Sequence, residues 1–218
     1  MAGPLNGGPR SAATRGLFLD RDGVINEKAA HGRYIEDSAS FRFLPGVIGS
    51  LVSIRAADPA IALMVVTNQR GIATGALTDA VLSGIHESMA AELGRHGVTL
   101  DGIYICPHER DSCDCRKPRP GLLHQAALDF PALRFPDSRL VGDALADLQA
   151  AAGVGMPAFL VGDAPSRART SAEARSLGVP VAGQAGGLAE LVRAEPMRQW
   201  LADISSTPVP ARPPVATH

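Results

Sequence analysis

The sequence predicts an α/β domain built on a doubly wound, mostly parallel sheet. Two observations point to it. Short apolar runs of strand length alternate with stretches of helical periodicity, an order that favours parallel strands covered by helices on both faces. The residues just after those runs are carboxylates, a threonine and amides, and open parallel sheets place their ligands beyond the carboxyl ends of their strands.

The strand candidates are Gly16–Leu19, Ile61–Thr67, Gly102–Cys106, Leu140–Gly142 and Ala158–Val161. The helix candidates are Gly46–Ala57, Thr78–Leu93, Pro120–Leu128 and Ala144–Ala152, with Thr78 suited to cap its helix and Pro120 to a first turn. Residues 1–14, rich in Gly, Pro and Ala, read as a flexible leader. Residues 204–218 include Ser-Thr-Pro-Val-Pro-Ala-Arg-Pro-Pro, which sustains neither a helix nor a central strand and reads as a disordered tail. One domain over residues 15–203 remains, which suits a chain of 218 residues.

Composition narrows the partners. The formal net charge of −1 leaves no basic footprint for nucleic acid or an anionic membrane, so neither is expected as a partner. No run approaches the roughly 20 apolar residues of a membrane span, and the first residues lack the apolar core of a signal peptide. The three cysteines, Cys106, Cys113 and Cys115, form an odd, clustered set that fits a reducing compartment or a metal better than disulfides. A cytoplasmic protein is expected.

Four segments carry candidate chemistry. Leu17-Phe18-Leu19 runs into Asp20-Arg21-Asp22-Gly23, and extended geometry through Asp20 would turn the carboxylates of Asp20 and Asp22 to one side. Two such carboxylates repel each other unless a cation lies between them, and Mg²⁺ shares its shell with substrate phosphate. Alone, Asp-x-Asp fits a solvated acidic turn equally well. Met64-Val65-Val66 ends in Thr67-Asn68-Gln69, neutral donors for a phosphoryl oxygen, although an ordinary Thr-Asn turn would look the same. Arg116-Lys117-Pro118-Arg119-Pro120-Gly121 offers Lys117 to neutralise a phosphoryl group and Arg116 to grip a second anion; a solvated basic loop is the alternative. Leu140-Val141-Gly142 ends in Asp143, suited to complete a metal shell, while Asp147, one helical turn on, either orients its neighbours or faces water.

A fifth segment, Cys106-Pro107-His108 followed by Cys113-Asp114-Cys115, supplies three thiols and an imidazole. That set suits a closed tetrahedral Zn²⁺ site, one that staples the loop 106–115 and leaves no position open for catalysis. Free cysteines beside a surface histidine are the alternative.

Taken in order, the first four segments resemble the four motifs of the haloacid dehalogenase-like (HAD-like) phosphatase superfamily over roughly residues 16–165. The resemblance implies a Rossmann-like core, with Asp20 as nucleophile and Asp22 as general acid and then base. It also implies that Thr67 and Lys117 steady the phosphoryl group, and that Mg²⁺ is held by Asp20, the main-chain carbonyl of Asp22, and Asp143. Asp22 then has to carry a proton while Asp20 stays ionised. Arg21, Asn68, Gln69, Arg70 and Arg116 join Lys117 as candidate substrate contacts.

With the Cys-x-His and Cys-x-Cys pairs added, the pattern resembles the family of heptose 1,7-bisphosphate and histidinol-phosphate phosphatases. Asn26 and the Pro-Gly after Arg-Lys-Pro-Arg favour the heptose branch, whereas the short spacing from His108 to Cys113 is closer to the histidinol-phosphate branch. His31, Gly32 and Tyr34 stand where relatives contact the sugar. The short stretches between motifs leave no room for a large cap domain, and a monomer is implied. A bisphosphate suits Arg116, Lys117 and Arg70. Histidinol phosphate would instead call on Glu27, Glu109 or Asp111 to meet its amine.

Overall fold

The run Gly16–Leu19 (β1) is buried along its whole length, so its backbone needs strand partners on both sides. It finds Ala62–Asn68 (β2) on one side and Arg139–Gly142 (β4) on the other, both parallel. In the computed structural model, which describes residues 13–30 and 33–203, the sheet has six strands in the order β3-β2-β1-β4-β5-β6. Gly102–Cys106 is β3, Ala158–Val161 is β5 and Gly183–Ala185 is β6. Every pairing is parallel, where the sequence pointed to a mostly parallel sheet.

The helices are Val47–Ala57 (α1), Asp79–Arg95 (α2), Gly121–Asp129 (α3), Leu145–Ala152 (α4), Ala164–Ser176 (α5), Leu188–Leu191 (α6) and Met197–Ala202 (α7). Side chains alternate across β1. Leu17 and Leu19 pack with α1, α2, α6 and α7 through residues such as Leu51, Ile85 and Leu188. Phe18 faces the other way and packs with α3 and α4 through Leu122, Ala126 and Leu148. The sheet is therefore covered on both faces, as two-sided burial of its strands requires.

Chain order reverses at the centre. The chain moves outward from β1 through β2 to β3, then returns to place β4 on the other flank of β1. Ligands bind at such switch points, beyond the carboxyl ends of the strands. Register aligns those ends: Leu19 stands opposite Val65 in β2 and Val141 in β4, and the Asp20 amide donates to the Val141 carbonyl at 2.9 Å. Asp20, Thr67 and Asp143 are thus delivered to one rim of the sheet. Among the described residues no helix or strand is inserted between a strand and the helix that follows it, in keeping with a capless domain.

Element boundaries moved little from the sequence reading. Ile61 precedes β2, and α2 continues to Arg95. Four elements were missed, two of them, α6 and α7, because helices of 4 and 6 residues are too short to show a period. α5 buries only Ala174 and so shows no apolar stripe, and β6 is Gly-Gln-Ala, without an apolar run. The predicted tail, like residues 1–12, lies outside the described residues. Of the predicted leader, Ala13 is buried, and the Thr14 carbonyl accepts from the Arg134 amide at 2.8 Å. No described helix is long and apolar enough to cross a membrane.

The end of β4 has no space for a side chain. A Cβ on Gly142 would stand 2.2 Å from Asp147 Cβ and 2.4 Å from its Cγ. Gly142→Ala should therefore lower the unfolding free energy by about 1–3 kcal/mol, as overpacking does. Chemical denaturation measures it, and an unchanged midpoint would mean that Asp147 is not held against β4.

Candidate active site

The centre of the site is a buried ammonium. Lys117, 5% exposed, donates through Nζ to Asp20 Oδ1 at 2.8 Å, to the Val66 carbonyl at 2.8 Å and to Asp147 Oδ1 at 2.5 Å. All three of its protons are used. Burial opposes its charge, but Asp147 and Asp20 more than offset this and raise its pKa well above the usual lysine value. The loop carrying it is tied to β2 by a reciprocal pair: the Asn68 amide donates to the Lys117 carbonyl, and the Lys117 amide to Asn68 Oδ1, both at 3.1 Å. The side chain of Asn68, a candidate substrate contact, is thus engaged in holding the lysine loop.

Asp147 is buried and both its oxygens are committed. Oδ1 meets Lys117, and Oδ2 accepts from the amides of Asp143 and Ala144 at 3.2 and 3.0 Å. It orients its neighbours; the solvent-facing alternative is excluded. Asp20, Asp143 and Asp147 each present an oxygen within 4.8 Å of the others. With Asp147 occupied, Asp20 and Asp143 are the pair able to face a cation, a small set of hard oxygens that suits Mg²⁺. The cationic tip of Lys28, a residue the sequence reading passed over, already pairs with Asp143. Gly23, with φ of 93°, lets the backbone pass so close that a Cβ there would meet Asp143 Oδ2 at 1.9 Å.

Burial raises the Asp20 pKa to about 7, with Asp147 and Asp143 adding to the effect and Lys117 opposing it. Burial likewise raises Asp143, against the pull of Lys28. Asp22 behaves oppositely. Burial alone would raise it, but the Arg21 charge and hydrogen bonds from Asn26, Arg21 and Gln69 carry it below the usual carboxylate range. The two aspartates are pushed apart, but in the reverse sense to a resting general acid at Asp22. The reason is its set of donors: Arg21 Nη2 at 2.9 Å from both oxygens, Asn26 Nδ2 at 2.9 Å from Oδ1, and Gln69 Nε2 at 2.9 Å from Oδ2.

Several candidates are therefore placed differently from a substrate contact. Arg21, 1% exposed, turns its guanidinium inward onto Asp22 and onto His86 Nε2 at 3.1 Å. Gln69 is buried and also donates to Thr67 Oγ1 at 2.9 Å, which leaves the Thr67 hydroxyl proton free for an acceptor at the rim. Arg70 pairs with Glu109 of the cysteine-rich loop, and the Tyr34 ring lies against Gly71. His31 and Gly32 lie outside the described residues.

Beside Lys117 opens a cavity of about 350 Å³ lined by Asn68, Arg110, Asp111, Cys113, Arg116, Arg119 and Ala146 among others. Three arginines against one aspartate give it a positive wall, suited to an anion. Arg116 Nη1 is buried and has no hydrogen-bond partner, a donor left for a ligand. Arg110 and Arg119 were not singled out in the sequence; only the folded loop brings them to one wall.

The cysteine-rich loop draws its four ligand atoms together. Cys106 Sγ lies 3.5 Å from Cys113 Sγ and 3.8 Å from His108 Nδ1; Cys115 Sγ lies 3.3 Å from Cys113 Sγ and 3.2 Å from His108 Nδ1. A tetrahedron with metal–sulfur bonds of about 2.3 Å has edges of about 3.7 Å, so these residues fit one Zn²⁺.

His86 is pressed below the usual histidine range, to about 3, by burial and the Arg21 charge. Between pH 6.5 and 3 the unfolded chain therefore binds a proton there that the folded chain does not. Stability should fall as pH drops through that window, by about 1.4 kcal/mol per unit from this group. Denaturation of the wild type and His86→Gln at pH 7 and 5 should show their difference shrinking by about 2 kcal/mol. A constant difference would mean that His86 titrates normally.

A family described as HAD-hydrolase-like matches residues 114–183. The D-glycero-alpha-D-manno-heptose-1,7-bisphosphate 7-phosphatase of Mycobacterium tuberculosis is 43% identical over 144 residues, 63% of this chain and 72% of the relative. The D-glycero-beta-D-manno-heptose-1,7-bisphosphate 7-phosphatase of Salmonella typhi is 44% identical over 144 residues, 62% of this chain and 73% of the relative. Among solved structures, the D,D-heptose 1,7-bisphosphate phosphatase of B. bronchiseptica, complexed with magnesium and phosphate, superposes with a TM-score of 0.72 at 32% identity, over 83% of this chain and 96% of that one.

Proposed function

Because the chain belongs to the HAD-like phosphatase family of the heptose 1,7-bisphosphate 7-phosphatases, we propose that it removes the 7-phosphate of D-glycero-D-manno-heptose 1,7-bisphosphate. The product would serve nucleotide-activated heptose synthesis. The observation that carries the substrate choice is the unpartnered, buried Nη1 of Arg116 in a basic cavity beside Lys117, a place for a second phosphate. Glu109, one of the acidic groups that histidinol phosphate would need, is already paired with Arg70.

Asp20 attacks phosphorus in line, forming an aspartyl phosphate as the ester P–O bond breaks, and the departing sugar alkoxide takes a proton from Asp22. Water then attacks the acyl phosphate, returns a proton to Asp22 and releases inorganic phosphate. Lys117 and the Thr67 hydroxyl steady the phosphoryl oxygens. Mg²⁺ held by Asp20, Asp143 and the Asp22 carbonyl would neutralise phosphoryl charge and favour ionised Asp20. Asp22 is ionised by its own surroundings, so its proton has to follow the substrate: an arriving phosphoryl group adds like charge and raises its pKa. Zn²⁺ bound by Cys106, His108, Cys113 and Cys115 would hold the cavity wall in place without joining the reaction. A clustered, odd set of three cysteines suits a cytoplasmic site of action.

Asp20→Asn should abolish turnover and form no phosphoenzyme on labelling; comparable turnover would sink the nucleophile assignment. Arg116→Ala should lower kcat/KM about 10–100-fold on the bisphosphate, the value of a charge-assisted contact, and by less than about threefold on heptose 7-phosphate. Equal losses on both would remove the second-phosphate role. Assays on the alpha and beta bisphosphates and on histidinol phosphate assign the substrate, and the last as best substrate would overturn the reading. Metal analysis should find about one zinc per chain, lost when Cys113 and Cys115 are both replaced by serine. A zinc-free wild type would dismiss the metal.

A further inference from the structure

We propose that His86, on α2 and outside the cavity, is a positioning residue for proton transfer by Asp22, acting through Arg21. This rests on the reading of Asp22 as general acid. Arg21 carries a charge into the core, where it is 1% exposed, and a guanidinium has donors only. Its Nε and Nη2 fork onto the Asp22 carboxylate at 2.9–3.3 Å. Among the described residues its Nη1 meets one hydrogen-bonding partner, His86 Nε2 at 3.1 Å, and His86 is itself buried. Since Arg21 can only donate, His86 must accept, which requires a neutral ring with its proton on Nδ1. His86 and Asp22 thus hold opposite ends of one planar group, so the histidine sets the angle at which the guanidinium meets the carboxylate.

The consequence is directional. Without an acceptor at position 86 a buried donor is left unpaired, and the guanidinium is free to tilt off Asp22. Proton delivery suffers from a small misplacement, whereas substrate binding at Arg116 and Lys117 does not. No covalent step is added; His86 neither gains nor loses a proton during turnover.

The leaving group separates this role from a structural one. A sugar alkoxide needs a proton as it departs and p-nitrophenolate does not, so the rate of leaving-group release in the first turnover isolates the acid step. In the magnesium-loaded full chain, His86→Leu should slow that release about 10–100-fold on heptose bisphosphate. KM should stay within about threefold, as should release from p-nitrophenyl phosphate. His86→Gln, whose amide oxygen can accept from Arg21, should restore the sugar rate to within about threefold of the wild type. Equal losses on both substrates in a folded His86→Leu chain, or no loss on either, would overturn the proposal. Asp22→Asn runs alongside. If it too slows both substrates equally, the general-acid reading fails; if it is selective and His86→Leu is not, only the present inference fails. Nitrogen NMR of the wild type tests the same point without a variant, since a proton on Nε2 of His86 would contradict the proposal.

Discussion

Everything at the rim of this sheet depends on one buried positive charge. An ammonium is tolerated in a site as closed as that of Lys117 only when its protons are taken, and two carboxylates with a main-chain carbonyl take them. The same geometry decides which aspartates are free. Asp147 is consumed by the lysine and by two amides at the head of α4, so Asp20, with one oxygen on Lys117, and Asp143, paired with Lys28, are the carboxylates able to share a further cation. Charge balance orders the site: one cation is fixed inside, and one pair of anions is left to attract another.

A parallel logic governs the opposite side of Asp20. Asp22 is surrounded by donors rather than by carboxylates, and those donors come from three directions: its own turn, the end of β2 and, at one remove, α2. Two aspartates a single residue apart are thus held in contrasting electrostatic surroundings. The sheet alone could not do this, because it delivers both to the same rim.

The fold was legible because parallel strands buried on both faces read as unbroken apolar runs, as Ala62 to Val66 and Ala158 to Val161 do. α5 and β6 were not, for they lie where the sheet needs cover but little hydrophobic contact. The candidate chemistry was legible where a residue stands at the end of such a run, as Asp20, Thr67 and Asp143 do. It was misread where function depends on which way a long side chain turns. Arg21 and Arg116 are both arginines inside a motif, yet one is swallowed by the core and the other opens onto the cavity. Lys28 and His86 belong to no pattern, and only the meeting of distant elements makes them neighbours of the site.

The cavity beside Lys117 has a further meaning in the way its wall is built. Apart from Asn68 and Ala146, the residues lining it all come from one continuous stretch, Arg110 to Arg119. Of this stretch, Lys117 reaches the strand ends, with its ammonium on Asp20 and the Val66 carbonyl and its backbone paired with Asn68. With Lys117 kept, the other residues of this short cassette can be rewritten without reshaping the rim of the sheet. The same scaffold can pass from one phosphorylated metabolite to another while its aspartates stay where they are.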